Sequence, residues 1–217
     1  MHNIIDNLKS IDNELKIIIK DNKLPTIIAV SKTFDSSIIL PLLDYGHKHF
    51  GENKVQEAVD KWTDIKNNFN DIKLHMIGKL QTNKVKFVIP LFDYIHSLDS
   101  IKLAKKISEE QVKKNKKLKI FIQINIGNES QKSGILIDQL ENFYKKCTND
   151  LGLSIVGLMC LPPKNSNISN YFSTMKKLSN KINLTDLSMG MSNDFLDAAK
   201  NGATYLRIGT KIFGSRN

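Results

Sequence analysis

The chain has 217 residues, 41% hydrophobic and 25% charged, a globular balance that excludes a disordered or low-complexity protein. Its 5 prolines and 11 glycines exclude a collagen-like repeat, and 2 cysteines are too few for a disulfide framework. The net charge is +10, yet all but Arg207 and Arg216 of the 32 basic residues are lysines, whereas readers of nucleic acid favour the planar fork of arginine.

A solvated lysine surface with no specific nucleic-acid partner is therefore expected, including the cluster Lys113, Lys114, Lys116, Lys117 and Lys119. No apolar run approaches the ~20 residues that span a bilayer. The N-terminus breaks its apolar residues with Asp, Lys and Glu, unlike a signal peptide. The expectation is a protein of the cytoplasm with no membrane partner.

In chain order, Ile4, Ile5, Leu8, Ile11, Leu15, Ile18 and Ile19 recur at spacings of three and four, which predicts an amphipathic helix over residues 3–21. Thr26-Ile-Ile-Ala-Val30 is a short β-branched run suited to a strand buried on both faces, as in a parallel sheet. Helical and strand-like stretches then alternate: SSIILPLLDYG, strand HKHFGEN, helix KVQEAVDKWTDI, strand LHMIG, helix LQTNKVKFVIPL and strand YIHSLD. They continue as SIKLAKKISEEQVKK, strand KIFIQINI, helix ILIDQLENFYKKC, strand LSIVGLMCL and helix NYFSTMKKLSNKI. Strand LSMG, helix SNDFLDAAKNG with Gly202 as a C-cap, and strand TYLRIG complete the pattern.

Eight strands alternating with helices, at roughly 27 residues per unit, predict a single α/β domain over residues 1–217: a closed (β/α)8 TIM barrel carrying an extra N-terminal helix. An open doubly wound sheet is disfavoured by the strand count and by the lack of a G-x-G-x-x-G turn. Active sites of such barrels lie at the C-terminal strand ends. Here those ends carry Ser31-Lys32, Gly51-Glu52-Asn53, Gly78-Lys79, Asp99, Asn125, Cys160, Gly190-Met191-Ser192-Asn193, and Arg207-Ile-Gly209-Thr210.

Lys32 directly follows the apolar run IIAV. A lysine on so rigid and dehydrated a base loses proton affinity and can attack a carbonyl, as Schiff-base lysines do. The glycines and hydroxyls of SMGMSND and RIGTKIFG, at neighbouring strand ends, suit a phosphate cup. Together they suggest pyridoxal 5′-phosphate as cofactor. Arg207 facing the pyridine nitrogen would keep that nitrogen unprotonated, making the ring a poorer electron sink.

At these residues the sequence resembles the YggS/PROSC family of pyridoxal phosphate homeostasis proteins. The matching stretches are Ala29-Val-Ser-Lys-Thr33, Phe50-Gly-Glu-Asn53 with Val55-Gln-Glu57, and His75-Met-Ile-Gly-Lys-Leu-Gln-Thr-Asn-Lys84. Gln123-Ile-Asn125, Lys132-Ser-Gly134, Gly157-Leu-Met159, Leu187-Ser-Met-Gly-Met-Ser192 and Arg207-Ile-Gly-Thr-Lys-Ile-Phe-Gly214 match as well. The resemblance implies a fold type III pyridoxal phosphate barrel like the N-terminal domain of alanine racemase. It makes Lys32 the Schiff-base lysine, Ser192, Gly209 and Thr210 phosphate contacts, and Arg207 the partner of the ring nitrogen. Asn53, Ile77 and Gly78 would line the cofactor pocket, with Met191 near the ring.

The resemblance also implies a carrier and buffer of pyridoxal phosphate in vitamin B6 and amino-acid homeostasis, with no catalytic residues of its own and cofactor-dependent acceptor enzymes as partners. The second domain and partner-subunit tyrosine of the racemases are not expected in a chain ending at Asn217, so a monomer is expected. One departure is Lys79, where family members often have His, Pro or a small residue; it is expected to face solvent. Lys84 is either a secondary cofactor site or a surface residue.

Three rival functions make distinct demands. A pyridoxal-dependent racemase or lyase needs an acid/base group opposite Lys32, for which only His75 and Tyr205 stand on suitable strands. A metal-dependent hydrolase is prompted by His47-Lys-His49, although those residues lie toward the strand start and no metal site is expected. A module binding anionic partners through the lysine surface predicts salt-dependent association.

Overall fold

The computed structural model describes residues 4–20, 23–163 and 167–215. Helix α1 (Ile4–Ile18) precedes the first strand, β1 (Thr26–Val30). Then follow α2 (Ser36–Asp44), β2 (His49–Glu52), α3 (Val55–Asn68), β3 (Lys73–Met76), α4 (Val85–Leu91), β4 (Tyr94–Leu98) and α5 (Ile101–Lys114). The second half comprises β5 (Lys119–Ile124), α6 (Leu140–Lys145), β6 (Ile155–Cys160), α7 (Ile168–Lys181), β7 (Asp186–Ser188), α8 (Phe195–Lys200), β8 (Tyr205–Ile208) and α9 (Thr210–Phe213). The strands form one closed parallel barrel in sequence order, β8 returning to β1 with Ile28 opposite Arg207.

The side-chain alternation of a strand divides the interior in two. The larger core lies between sheet and helices, where Leu74, Met76, Leu206 and Ile208 face Trp62, Phe172 and the other helix residues. Inside the barrel, Tyr94, Phe121 and Met159 form a smaller cluster, joined by Tyr205. Helix α1 buries Leu8, Ile11 and Leu15 against α2, α8 and the four-residue α9. Asn7 Nδ2 donates to the Ile212 carbonyl at 2.9 Å, and Lys211 pairs with Glu14 at 3.0 Å. The extra helix thus closes the wall where the last barrel helix is short.

Several elements differ in extent from their sequence patterns. The predicted helix over LQTNKVKFVIPL begins late: Gln81 is extended, residues 82–84 form a 3-10 turn, and α4 starts at Val85. Strand β5 stops at Ile124, because Asn125 folds back to bond Glu129 through both its amide groups (2.8 and 3.1 Å). Gly202 has φ of +86° just past Asn201, the cap of α8, the left-handed position that a helix-ending glycine occupies.

Candidate functional site

A cavity of about 940 Å³ opens at the C-terminal end of the barrel. Lys32 reaches it from β1, Asn53 from β2, and Ile77, Gly78 and Lys79 from β3. Met191 and Ser192 reach it from β7, and Arg207, Gly209 and Thr210 from β8. The structure therefore brings every cofactor-site candidate of the sequence to one cavity. Gln123, Asn125 and Lys132 form the opposite wall. Asp99 does not line it, and Lys84 lies outside, its ammonium 5.9 Å from the Phe87 ring. Lys79 is exposed at the rim.

Two glycines of the site are required by space. A Cβ on Gly78 would stand 2.3 Å from the Asn53 carbonyl oxygen, so only glycine lets the ends of β2 and β3 approach this closely. Gly190 has φ of +89°, and a Cβ there would meet the Ala198 methyl at 2.5 Å. Its carbonyl accepts from the Arg207 N–H at 2.9 Å, and Ser192 Oγ accepts from the Lys211 N–H at 3.2 Å, which joins the β7 and β8 loops.

Arg207 is buried in the cavity wall, 5% exposed. Its guanidinium donates to Ser188 Oγ at 2.7 Å and to the Cys160 carbonyl at 2.9 Å. Behind it runs a column of imidazoles. Ser188 Oγ lies 2.8 Å from His96 Nδ1, His96 Nε2 lies 2.9 Å from His75 Nδ1, and His75 Nε2 lies 3.0 Å from His49 Nδ1. Arginine only donates, so Ser188 accepts from it, and the same hydroxyl is bonded to His96 Nδ1. One hydrogen between each pair of rings links them in a single line, down to half-buried His49 at the opposite end of the barrel.

This order requires neutral rings, and the surroundings enforce neutrality. Burial, then the neighbouring His96 and His49, hold His75 well below the ordinary value of 6.5. Burial and the Arg207 charge do the same to His96. Burial and His47 bring His49 to about 4. Sequence reasoning missed this column, since its members sit on four different strands.

It named Glu52 only as a strand-end residue and missed Lys61 and Trp62, which form with it a buried cluster beneath the Lys32 turn. The two acid/base candidates of the racemase reading, His75 and Tyr205, do not line the cavity. Tyr205 instead places its hydroxyl 3.4 Å from that of Tyr94 inside the barrel. His47 and His49 do not share a strand face: His47 precedes β2 and its Nε2 donates to the His49 carbonyl at 2.9 Å. Among the described residues no cluster of three or more metal-ligating side chains occurs.

Fold and site together define a parallel (β/α)8 barrel with a cavity lined by Lys32, Lys79, Lys132 and Arg207 at one mouth. The family described as alanine racemase, N-terminal domain, matches residues 5–217. The chain is 36% identical over 229 residues to the pyridoxal phosphate homeostasis protein of Haemophilus influenzae, covering 99% of this chain and 97% of that one. It is 34% identical over 201 residues to the protein of the same name from Escherichia coli, covering 88% and 86%. The chain thus belongs to the pyridoxal phosphate homeostasis protein family, within the alanine racemase N-terminal domain fold.

Among solved structures, PipY of Synechococcus elongatus with pyridoxal phosphate bound superposes with a TM-score of 0.86 at 30% identity, covering 98% of this chain and all of that one. An alanine racemase of Clostridium difficile shares the fold, with a TM-score of 0.71 at 14% identity over 57% of its length.

Proposed function

We propose that this protein binds pyridoxal 5′-phosphate in the barrel-mouth cavity and works as a carrier and buffer of the cofactor rather than as an enzyme. The observation that carries the reading is the convergence of Lys32, Ser192, Thr210 and Arg207 on one cavity. Their chemistry fits the cofactor: an amine for its aldehyde, hydroxyls for its phosphate and a guanidinium for its ring nitrogen. Asn53 fits as well, since its Oδ1 is buried at the site with no hydrogen-bond partner.

When bound, pyridoxal phosphate supplies an aldehyde that condenses with an amine and a pyridine ring that withdraws electrons. In this reading Lys32 forms the covalent bond, and Ser192, Gly209 and Thr210 hold the phosphate. Arg207, locked by Ser188 and Cys160, would face the ring nitrogen and keep it without a proton, which would weaken electron withdrawal. Asn53, Ile77, Gly78 and Met191 complete the pocket.

His75 and Tyr205, turned into the barrel interior, are not placed to exchange protons with a ligand in the cavity, which favours a carrier over a racemase. Residues 1–217 act as one domain, as a cytoplasmic monomer, and the partners are enzymes that need the cofactor.

The test mixes the loaded protein with the cofactor-free form of a pyridoxal phosphate enzyme. Recovery of that enzyme's activity as the carrier loses its absorption band is the expected result. A loaded protein that retains its cofactor, or that racemises amino acids at a rate abolished by Lys32→Ala, would overturn the carrier reading.

A further inference from the structure

Lys32 sits in a turn whose two other residues are tied to a single charged cluster. Ser31 is fully buried, and Thr33 has φ of +69°, a left-handed conformation that a β-branched residue adopts only under constraint. The Ser31 hydroxyl donates to Glu52 Oε1 at 2.7 Å, and the Ser31 carbonyl accepts from Lys61 Nζ at 2.9 Å. On the other side of Lys32, the Thr33 N–H donates to Glu57 Oε1. Lys61 joins the two halves, pairing with Glu52 at 3.0 Å and with Glu57 at 3.2 Å. Trp62 Nε1 adds a third hydrogen bond to Glu52 Oε1 at 3.0 Å.

The cluster is expensive as a packing element. The Lys61 side chain is 8% exposed and that of Glu52 0%, and the second Glu52 oxygen is buried with no hydrogen-bond partner. A buried ion pair of this kind stabilises a fold no better than apolar residues of the same volume. Its geometry gives it a different use, since all of its bonds to β1 and the following turn end on the residues flanking Lys32. It also gives a role to Glu57, which otherwise has no part in the cavity: α3 begins at Val55, placing Glu57 and Lys61 one turn apart on one face.

We propose that Lys61, Glu52 and Glu57 are positioning residues that hold the Ser31–Thr33 turn so that the Lys32 amine meets the aldehyde carbon of pyridoxal phosphate. This rests on the assignment of Lys32 made above. In the step concerned, the neutral Lys32 nitrogen attacks the carbonyl carbon, a C=N bond forms, and the carbonyl oxygen leaves as water with the two amine protons. No oxidant or reductant is needed. Holding the base of the side chain lowers the freedom lost in that step and leaves the binding of ring and phosphate untouched.

The experiment compares pyridoxal phosphate with pyridoxine 5′-phosphate, which carries an alcohol in place of the aldehyde and cannot condense. The variants are Lys61→Met, Ser31→Ala and Glu57→Gln; the last two keep the Lys61–Glu52 pair and remain informative if Lys61→Met does not fold. Expected are an affinity for pyridoxal phosphate weakened about tenfold, the size of one lost charge-assisted hydrogen bond, and slower borohydride trapping at Lys32. Affinity for the alcohol should stay unchanged. Equal weakening of both ligands would make the cluster a scaffold for the whole pocket and overturn the proposal, as would unchanged trapping in all variants. A wild-type chain that binds the cofactor without labelling Lys32 would instead remove the assignment on which the proposal stands.

Discussion

Acidification should destabilise this barrel well above the pH at which its carboxylates titrate. His75 and His96 are fully buried and are held neutral, and His49 is lowered to about 4. Below the ordinary histidine value of 6.5 the unfolded chain takes up protons that the folded chain refuses, so stability is complete above that pH and falls as pH drops. Each such histidine costs about 1 kcal/mol for the first pH unit below its unfolded value, somewhat less for partly exposed His49, so the three together cost roughly 3 kcal/mol between pH 7.5 and 5.5. His47, also lowered by burial, acts in the same direction.

That is a large part of the ~5–15 kcal/mol that stabilises a typical domain. Denaturant unfolding of the cofactor-free protein at pH 7.5, 6.5 and 5.5 measures it. A His75→Gln, His96→Asn double variant should lose about half to two thirds of the pH slope even if less stable overall. A stability flat between pH 7.5 and 5.5, or a double variant with the full slope, would refute the neutral column.

Two further outcomes follow from packing. Gly78→Ala should destabilise by about 1–3 kcal/mol and weaken cofactor binding together, because the added methyl meets the Asn53 backbone and not a movable side chain; thermal melting and a cofactor titration check both. Ile11→Ala, at a fully buried position of α1, should cost about 2–5 kcal/mol in denaturant unfolding, whereas a cost near zero would mean that α1 is not part of the barrel's core.

Strands Thr26–Val30 and Lys119–Ile124 were legible because they bury both faces and so read as short β-branched runs; the others were placed by their alternation with helices. Their count and short connections point to closure, and closure turns strand ends into a list of site residues. Lys32, Arg207 and the glycine-hydroxyl stretches come from that list. Element ends were less legible, as at Asn125, where a side chain bonding its own loop ends β5 early.

The histidine column escapes a sequence reading for a physical reason. His49, His75, His96 and Ser188 have no common spacing and meet only through the register of a closed barrel. The Lys61 cluster is hidden differently: a lysine on α3 looks like any surface helix lysine, until a carboxylate at the buried end of β2 turns it inward. The one sequence signal was Glu52 itself, a charge placed where a strand end is buried.

The most direct test is an absorption spectrum of the purified protein with pyridoxal phosphate, followed by borohydride reduction and mass mapping of the labelled peptide. A near-visible band, a stable label on Lys32, and loss of both in Lys32→Ala are the predicted results. No band, or a label confined to another lysine such as Lys79 or Lys84, would contradict the assignment of the barrel-mouth lysine.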